Sequence, residues 1–166
     1  MRLSSDLSIL FPAVMALRKC TMIRPMRKDD YSKVYELWLS CKGMGLNDVD
    51  DSENGISRFL NRNPSTCFVA EIKGELIGAI MAGNDGRRGY IYHTAVHPSH
   101  QNRGIGSSLV NAVLEALKQQ GISKTALVVF DRNKNGNAFW EKLGFTERND
   151  LIYRNKSLVD MTRIET

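Results

Sequence analysis

The chain has 166 residues, 42 % of them apolar and 25 % charged. That suffices for one domain with a sizeable core, and it argues against a disordered chain or one that spans a membrane, since no apolar run approaches roughly 20 residues. The net charge of +5 suits an anionic ligand, while the scatter of the basic residues argues against a nucleic-acid partner.

Residues 1–21 read as an N-terminal extension ahead of a fresh start at Met22. The apolar run Leu7 to Leu17 is interrupted by Pro12, and Leu17-Arg18-Lys19-Cys20 makes a poor signal-peptide cleavage site. The domain then occupies residues 22–166. Cys20, Cys41 and Cys67 are odd in number and form no Cys-x-x-Cys pair. Neither a disulfide framework nor a zinc site is expected, and a reducing cytoplasm is the default compartment.

Met22 to Met26 predicts a short strand. Arg27 to Cys41 predicts a helix, with Tyr31, Val34, Leu37, Trp38 and Cys41 at helical spacing and Asp29 and Asp30 in its first turn. Lys42 to Asp51 reads as a loop. Ser52 to Arg62 reads as a second helix, N-capped by Ser52 and ended by Asn63-Pro64. Cys67 to Ile72 and Leu76 to Ala82 predict a hairpin turning at Lys73-Gly74. Asn84 to Gly89 is a second turn, read as solvated.

Tyr90 to Val96 is β-branched and aromatic and stops before His97-Pro98, as a strand does. Ile105, Leu109, Val113 and Leu117 then recur along one helical face, and Gly121 caps the end. Thr125 to Phe130 predicts a strand buried on both faces. Asp131 to Asn137 reads as a loop and Ala138 to Leu143 as a short helix. Phe145 to Arg148 and Leu151 to Lys156 predict a final antiparallel pair. The order βααβββαβαββ argues for one α/β domain with a mixed sheet.

Between the strand and the long helix lies Gln101-Asn102-Arg103-Gly104-Ile105-Gly106. Glycines there let backbone N–H groups approach an anion, and the helix dipole adds partial positive charge. By itself this marks a generic phosphate site. It is not a Walker loop, because Ser107-Ser108 follows Gly106 where Lys-Ser/Thr is required. It also lacks the acid about 20 residues on that a dinucleotide fold needs.

Ala95-Val96-x-Pro98, Gln101-x-x-Gly104-x-Gly106, Asn133 and Phe139-Trp140-Glu141-Lys142-Leu143-Gly144-Phe145 occur in that order. Together they resemble the GNAT N-acetyltransferase superfamily, over about residues 22 to 157. The resemblance implies a mixed, mostly antiparallel, splayed sheet flanked by helices, with acetyl-CoA lying in the splay. It implies that Ala95 and Val96 pair with the pantetheine. Amides of Arg103, Gly104, Ile105, Gly106 and Ser107 hold the pyrophosphate, with Ser108 nearby. Asn133 bonds the pantetheine arm, and Phe139 and Trp140 flank it.

The resemblance further implies an acetyl transfer to a small-molecule or peptide primary amine, by direct attack in a ternary complex. The Val96 amide would receive the thioester carbonyl. The usual acidic tyrosine is replaced by Trp140, and the usual glutamate positions hold Tyr90 and Val128. His93 and Tyr92, with Tyr90, are the local substitutes; against this, His93 can be read as a hydrogen-bonded strand histidine and Trp140 as packing. Strand alternation puts Tyr90, Tyr92 and Thr94 on one face and His93 on the other. The alternative is an acyl-CoA-binding protein with little or no transferase activity. The spacing of His93, His97 and His100 does not suit a metal. Trp38, Met44, Asp48, Asp50 and Asp51 fall where an acceptor pocket is expected. A homodimer is compatible with the reading.

Overall fold

The computed structural model describes residues 21–166, so the expected N-terminal extension lies outside the described residues except for Thr21. Strand β1 (Thr21–Pro25) pairs antiparallel with β3 (Phe68–Ile72), β3 with β4 (Glu75–Asn84), and β4 with β5 (Gly89–Val96). A fifth strand, β6 (Thr125–Ala126), joins β5 in parallel, giving the order β1-β3-β4-β5-β6. The sheet is thus mixed and mostly antiparallel.

Helices α1 (Tyr31–Leu39) and α2 (Glu53–Arg62) cover one face. Val34, Leu37 and Trp38 of α1 and Ile56 and Leu60 of α2 pack there against Val69, Ala79, Met81 and Ala95. Helix α3 (Ile105–Gln119) covers the other, where Leu109, Val110, Val113 and Leu117 meet Ala70, Ile80, Ala82 and Ile91. This is the apolar stripe at its expected helical spacing. The Ser52 hydroxyl caps α2 by accepting from the Gly55 amide at 3.1 Å. Lys73 and Gly74, at φ 52° and 82°, form the two-residue turn between β3 and β4.

Several expected elements differ. Asp30 does not open a continuous helix: its carboxylate takes two hydrogen bonds from Arg24 and one from the Arg27 amide, each at 2.7 Å. A single 3-10 turn therefore precedes α1. Helix α4 (Lys134–Lys142) begins four residues early, because the Asn133 side chain caps it by accepting from Gly136 N–H at 2.9 Å. Only Thr125 and Ala126 of the expected buried strand pair with β5, and Val128 is exposed. The expected pair of 145–148 with 151–156 is absent. Arg148 and Asp150 close a local turn instead, and Leu151, Ile152 and Tyr153 stay exposed because no ladder continues past Ala126. The end of the chain pairs elsewhere: β7 (Arg163–Ile164) lies antiparallel to β2 (Leu46–Asn47), inside the segment expected to be a loop.

Arg24 also donates to Glu71 at 2.5 Å, so one guanidinium ties β1 to β3 and to the entry of α1. Burial pushes the Asp30 carboxyl up, but the bonds from Arg24 and from the Arg27 amide outweigh it and hold it below the usual carboxylate range. A carboxyl depressed in the native state stabilises fully above its unfolded-state value, about pH 4, and loses that contribution as pH falls through the native value. Arg24→Met is therefore expected to flatten the fall in unfolding free energy below about pH 4, measured by urea denaturation across pH.

Candidate active site

Strands β5 and β6 pair only at Gly89–Thr125 and Tyr90–Ala126, with Gly89 N–H donating to Lys124 O at 2.9 Å. Beyond that point they separate, and among the described residues no strand lies beside the outward edge of β5. The register decides which groups face the opening. His97 N–H donates to Ile77 O at 2.8 Å, so His97 and Ile77 form a hydrogen-bonded pair. Pairs alternate in an antiparallel ladder. Val96, opposite Gly78, and Thr94, opposite Ile80, therefore turn their N–H groups away from β4 into the gap. Ala95 turns its backbone to β4. Of the two residues expected at this edge, Val96 presents its amide there; Thr94 does so as well, and the sequence reading passed over it. The Val96 carbonyl accepts from Gln101 Nε2 at 3.0 Å and from the Cys41 thiol at 3.6 Å.

The glycine turn lies at the mouth of this gap. Asn102 and Gly104 have φ of 60° and 81°, and Gly104 is the residue from which α3 starts. The N–H groups of Asn102, Arg103, Gly104, Ile105, Gly106 and Ser107 have no acceptor among the described residues. Ser108 is drawn into the helix: its N–H and its hydroxyl both donate to Gly104 O, at 3.0 and 3.1 Å. A Cβ on Gly106 would lie 3.2 Å from the Phe139 ring, so this glycine permits α4 to close over the first turn of α3. Trp140 packs edge-on between Phe139 and Phe145, at 5.0 and 5.1 Å between ring centres. Asn133 spends Oδ1 on capping α4, which leaves its Nδ2 free to donate.

The catalytic candidates come together in a way strand alternation did not predict. From Ile80–Thr94 to Ala82–Ile91 the register of β5 gains one residue on β4. This bulge puts Tyr92 and His93 on the same face. Tyr92 meets Phe59 of α2 at 5.3 Å, and His93 meets Trp38 of α1 at 4.8 Å. Tyr90 stacks beside Tyr92 at 5.0 Å. Burial first, then the neighbouring Tyr153 phenol, pushes the Tyr90 and Tyr92 hydroxyls above the usual phenol range, so both remain neutral donors near pH 7. His93 Nε2 lies 2.6 Å from Asp51 Oδ1.

The acids of the α1–α2 segment have separate environments. Asp51 is only 3 % exposed. Asp48 accepts from Thr162 N–H at 2.7 Å, tying the segment to the end of the chain. Trp38, expected to line a pocket, is buried in the core, and its indole N–H has no partner among the described residues. His97 and His100 share the Ser99 hydroxyl, at 2.7 and 2.8 Å, and do not join His93. Cys41 and Cys67 are buried, and burial pushes both thiols up, Cys67 to about 12.

The acetyltransferase (GNAT) family model matches residues 31–145. The chain is 36 % identical over 138 residues to acetyltransferase SG1711 of Sodalis glossinidius (strain morsitans), covering 83 % of this chain and 96 % of that one. In fold it is similar to the PaiA N-acetyltransferase of Thermoplasma acidophilum, solved in complex with coenzyme A, with a TM-score of 0.69 at 19 % identity over 78 % of this chain and 91 % of that one. It is likewise similar to Ard1 of Thermoplasma volcanium, with a TM-score of 0.69 at 22 % identity over 76 % and 83 %.

The left-handed backbone at Gly104 yields a stability prediction. A β-branched residue there is strained by roughly 1–3 kcal/mol. Gly104→Val is expected to lower the unfolding free energy by about that amount, and Gly104→Asn by clearly less, because Asn tolerates this region. Urea denaturation of the two variants side by side measures the difference.

Proposed function

The chain belongs to the acetyltransferase (GNAT) family, and from that premise we propose that it moves the acetyl group of acetyl-CoA to a primary amine by direct attack within a ternary complex. The observation that carries this reading is the run of six unpaired amides at Gly104 beside the outward amides of the β5 edge. Anionic phosphates need N–H donors at a positive helix end. An extended chain bearing amides needs an open strand edge. The two lie next to each other here.

Amides of Arg103, Gly104, Ile105, Gly106 and Ser107 hold the pyrophosphate in this reading. The Val96 backbone and Asn133 Nδ2 hold the pantetheine arm, with Phe139 alongside. When bound, acetyl-CoA supplies a thioester whose carbonyl carbon accepts the amine. The amide of Val96 donates to the carbonyl oxygen as negative charge develops there. A primary amine reaches neutral solution as ammonium and must lose a proton. His93 accepts it, being the one imidazole on the bulge that faces the α1–α2 segment. The tyrosines Tyr90 and Tyr92 provide a neutral, aromatic wall that favours a cationic acceptor. As the C–N bond forms, the C–S bond breaks. The nitrogen then gives up its second proton to water, and because Trp140 offers no acidic proton the departing thiolate takes its proton from solvent.

The packed Trp140 is also what favours the second reading, an acyl-CoA-binding protein with little turnover. Two measurements separate the readings. Coenzyme A at 100 times its dissociation constant adds about 2.7 kcal/mol and raises the melting temperature by several degrees; no shift at millimolar coenzyme A contradicts both. Free-thiol release with polyamines, amino acids, aminoglycosides and peptide N-termini supports transfer, and binding without release leaves the binding protein. In the transfer reading His93→Ala lowers kcat by on the order of 100-fold, with KM for acetyl-CoA unchanged.

A further inference from the structure

We infer that Asp51 is a positioning residue for His93, holding the proton on Nε2 so that Nδ1 is the nitrogen that receives the proton of the amine. The inference rests on the role of His93 proposed above. Its ground is the environment of the Asp51 carboxylate. The residue is 3 % exposed, and among the described residues no lysine or arginine forms an ion pair with it. Its two oxygens have one partner each: Oδ1 the His93 Nε2 at 2.6 Å, Oδ2 the Asn47 N–H at 2.7 Å.

An ionised carboxylate only accepts hydrogen bonds, and a buried one needs donors. The short contact therefore requires a proton on Nε2. In a neutral imidazole the lone pair then sits on Nδ1. The ring is fixed from a second side by Trp38, itself fully buried, at 4.8 Å between ring centres. When Nδ1 takes up a proton, the resulting imidazolium lies beside the carboxylate, which stabilises it without exchanging the proton.

The segment that carries Asp51 is built to hold it. Asn47 Oδ1 accepts from the amides of Val49 and Asp50 at 3.0 and 2.7 Å. The Tyr31 hydroxyl donates to Asp51 O at 3.0 Å, and Ser52 caps α2 directly after it. Asp51 and His93 are 42 residues apart in sequence, and the β5 bulge is what turns the imidazole toward this segment.

Asp51→Asn separates this role from a structural one. The Asn47 N–H still needs an acceptor, so the new carboxamide presents its oxygen there and its NH2 to His93. Nε2 must then accept, and the proton moves to Nδ1. Imidazole 15N NMR at neutral pH reads this directly, with the His93 signals identified by their loss in His93→Ala. The expected result is an Nε2–H tautomer in the wild type and Nδ1–H in Asp51→Asn. The variant's kcat falls on the order of 100-fold, with KM for acetyl-CoA unchanged. A wild-type Nδ1–H tautomer overturns the inference without any variant. So does an unchanged tautomer, or an unchanged kcat, in Asp51→Asn. A wild type that acetylates no amine contradicts the proposed reaction instead, and the tautomer still decides for or against Asp51.

Discussion

The site depends on where one ladder stops. Parallel pairing between β5 and β6 spans only two residues and ends at Tyr90 and Ala126. A continuous ladder would have used up the backbone groups of β5 on that side. Because it stops, the amides of Thr94 and Val96 stay open. The opposite edge of β5 is paired to β4 on both sides of the bulge, and the pairing from Thr94 to Val96 fixes which residues face the gap. The glycine turn follows from the same strand: β5 runs out at Val96, and eight residues later α3 starts at Gly104 with its first amides turned outward. Strand edge and helix end thus present two groups of donors, separated by the paired amides of His97 and of Ser99 to Gln101.

The bulge in β5 is the second constraint. A regular strand would have sent Tyr92 and His93 to opposite faces. One extra residue puts both against the α1–α2 face, and it returns Ala95 to that face and Val96 to the α3 face. His93 and Tyr92 thus both meet the helices of that face. The α1–α2 segment, pinned by β7 and by Asp48, brings its acids to the same region. The unpaired amides and the α1–α2 segment are joined through a single irregular strand.

Much of this was legible in the residues. The hairpin at Lys73-Gly74, the Ser52 cap and the stripe of α3 are local patterns, and each is found where the spacing places it. The glycine turn and the order of the later motifs carried the family. What was not legible depends on tertiary context. Alternation at period two cannot foresee a bulge, so it separated Tyr92 from His93. Asp51 stood in a polar run with Asp48 and Asp50, and nothing local distinguishes the one that becomes buried. Leu151 to Lys156 has the composition of a strand, but a strand needs an edge, and none continues past Ala126. Strands β2 and β7 pair over two residues each, too short for any periodicity.

The central claim is that the open edge of β5 and the amides at Gly104 hold coenzyme A. Residue-resolved hydrogen exchange by NMR, with and without saturating coenzyme A, tests it most directly. The account predicts that the amides of Val96 and of Arg103 to Ser107 slow strongly on binding, while Ala95, already turned to β4, changes little. Saturable binding that leaves those amides exchanging at their free rates would contradict it.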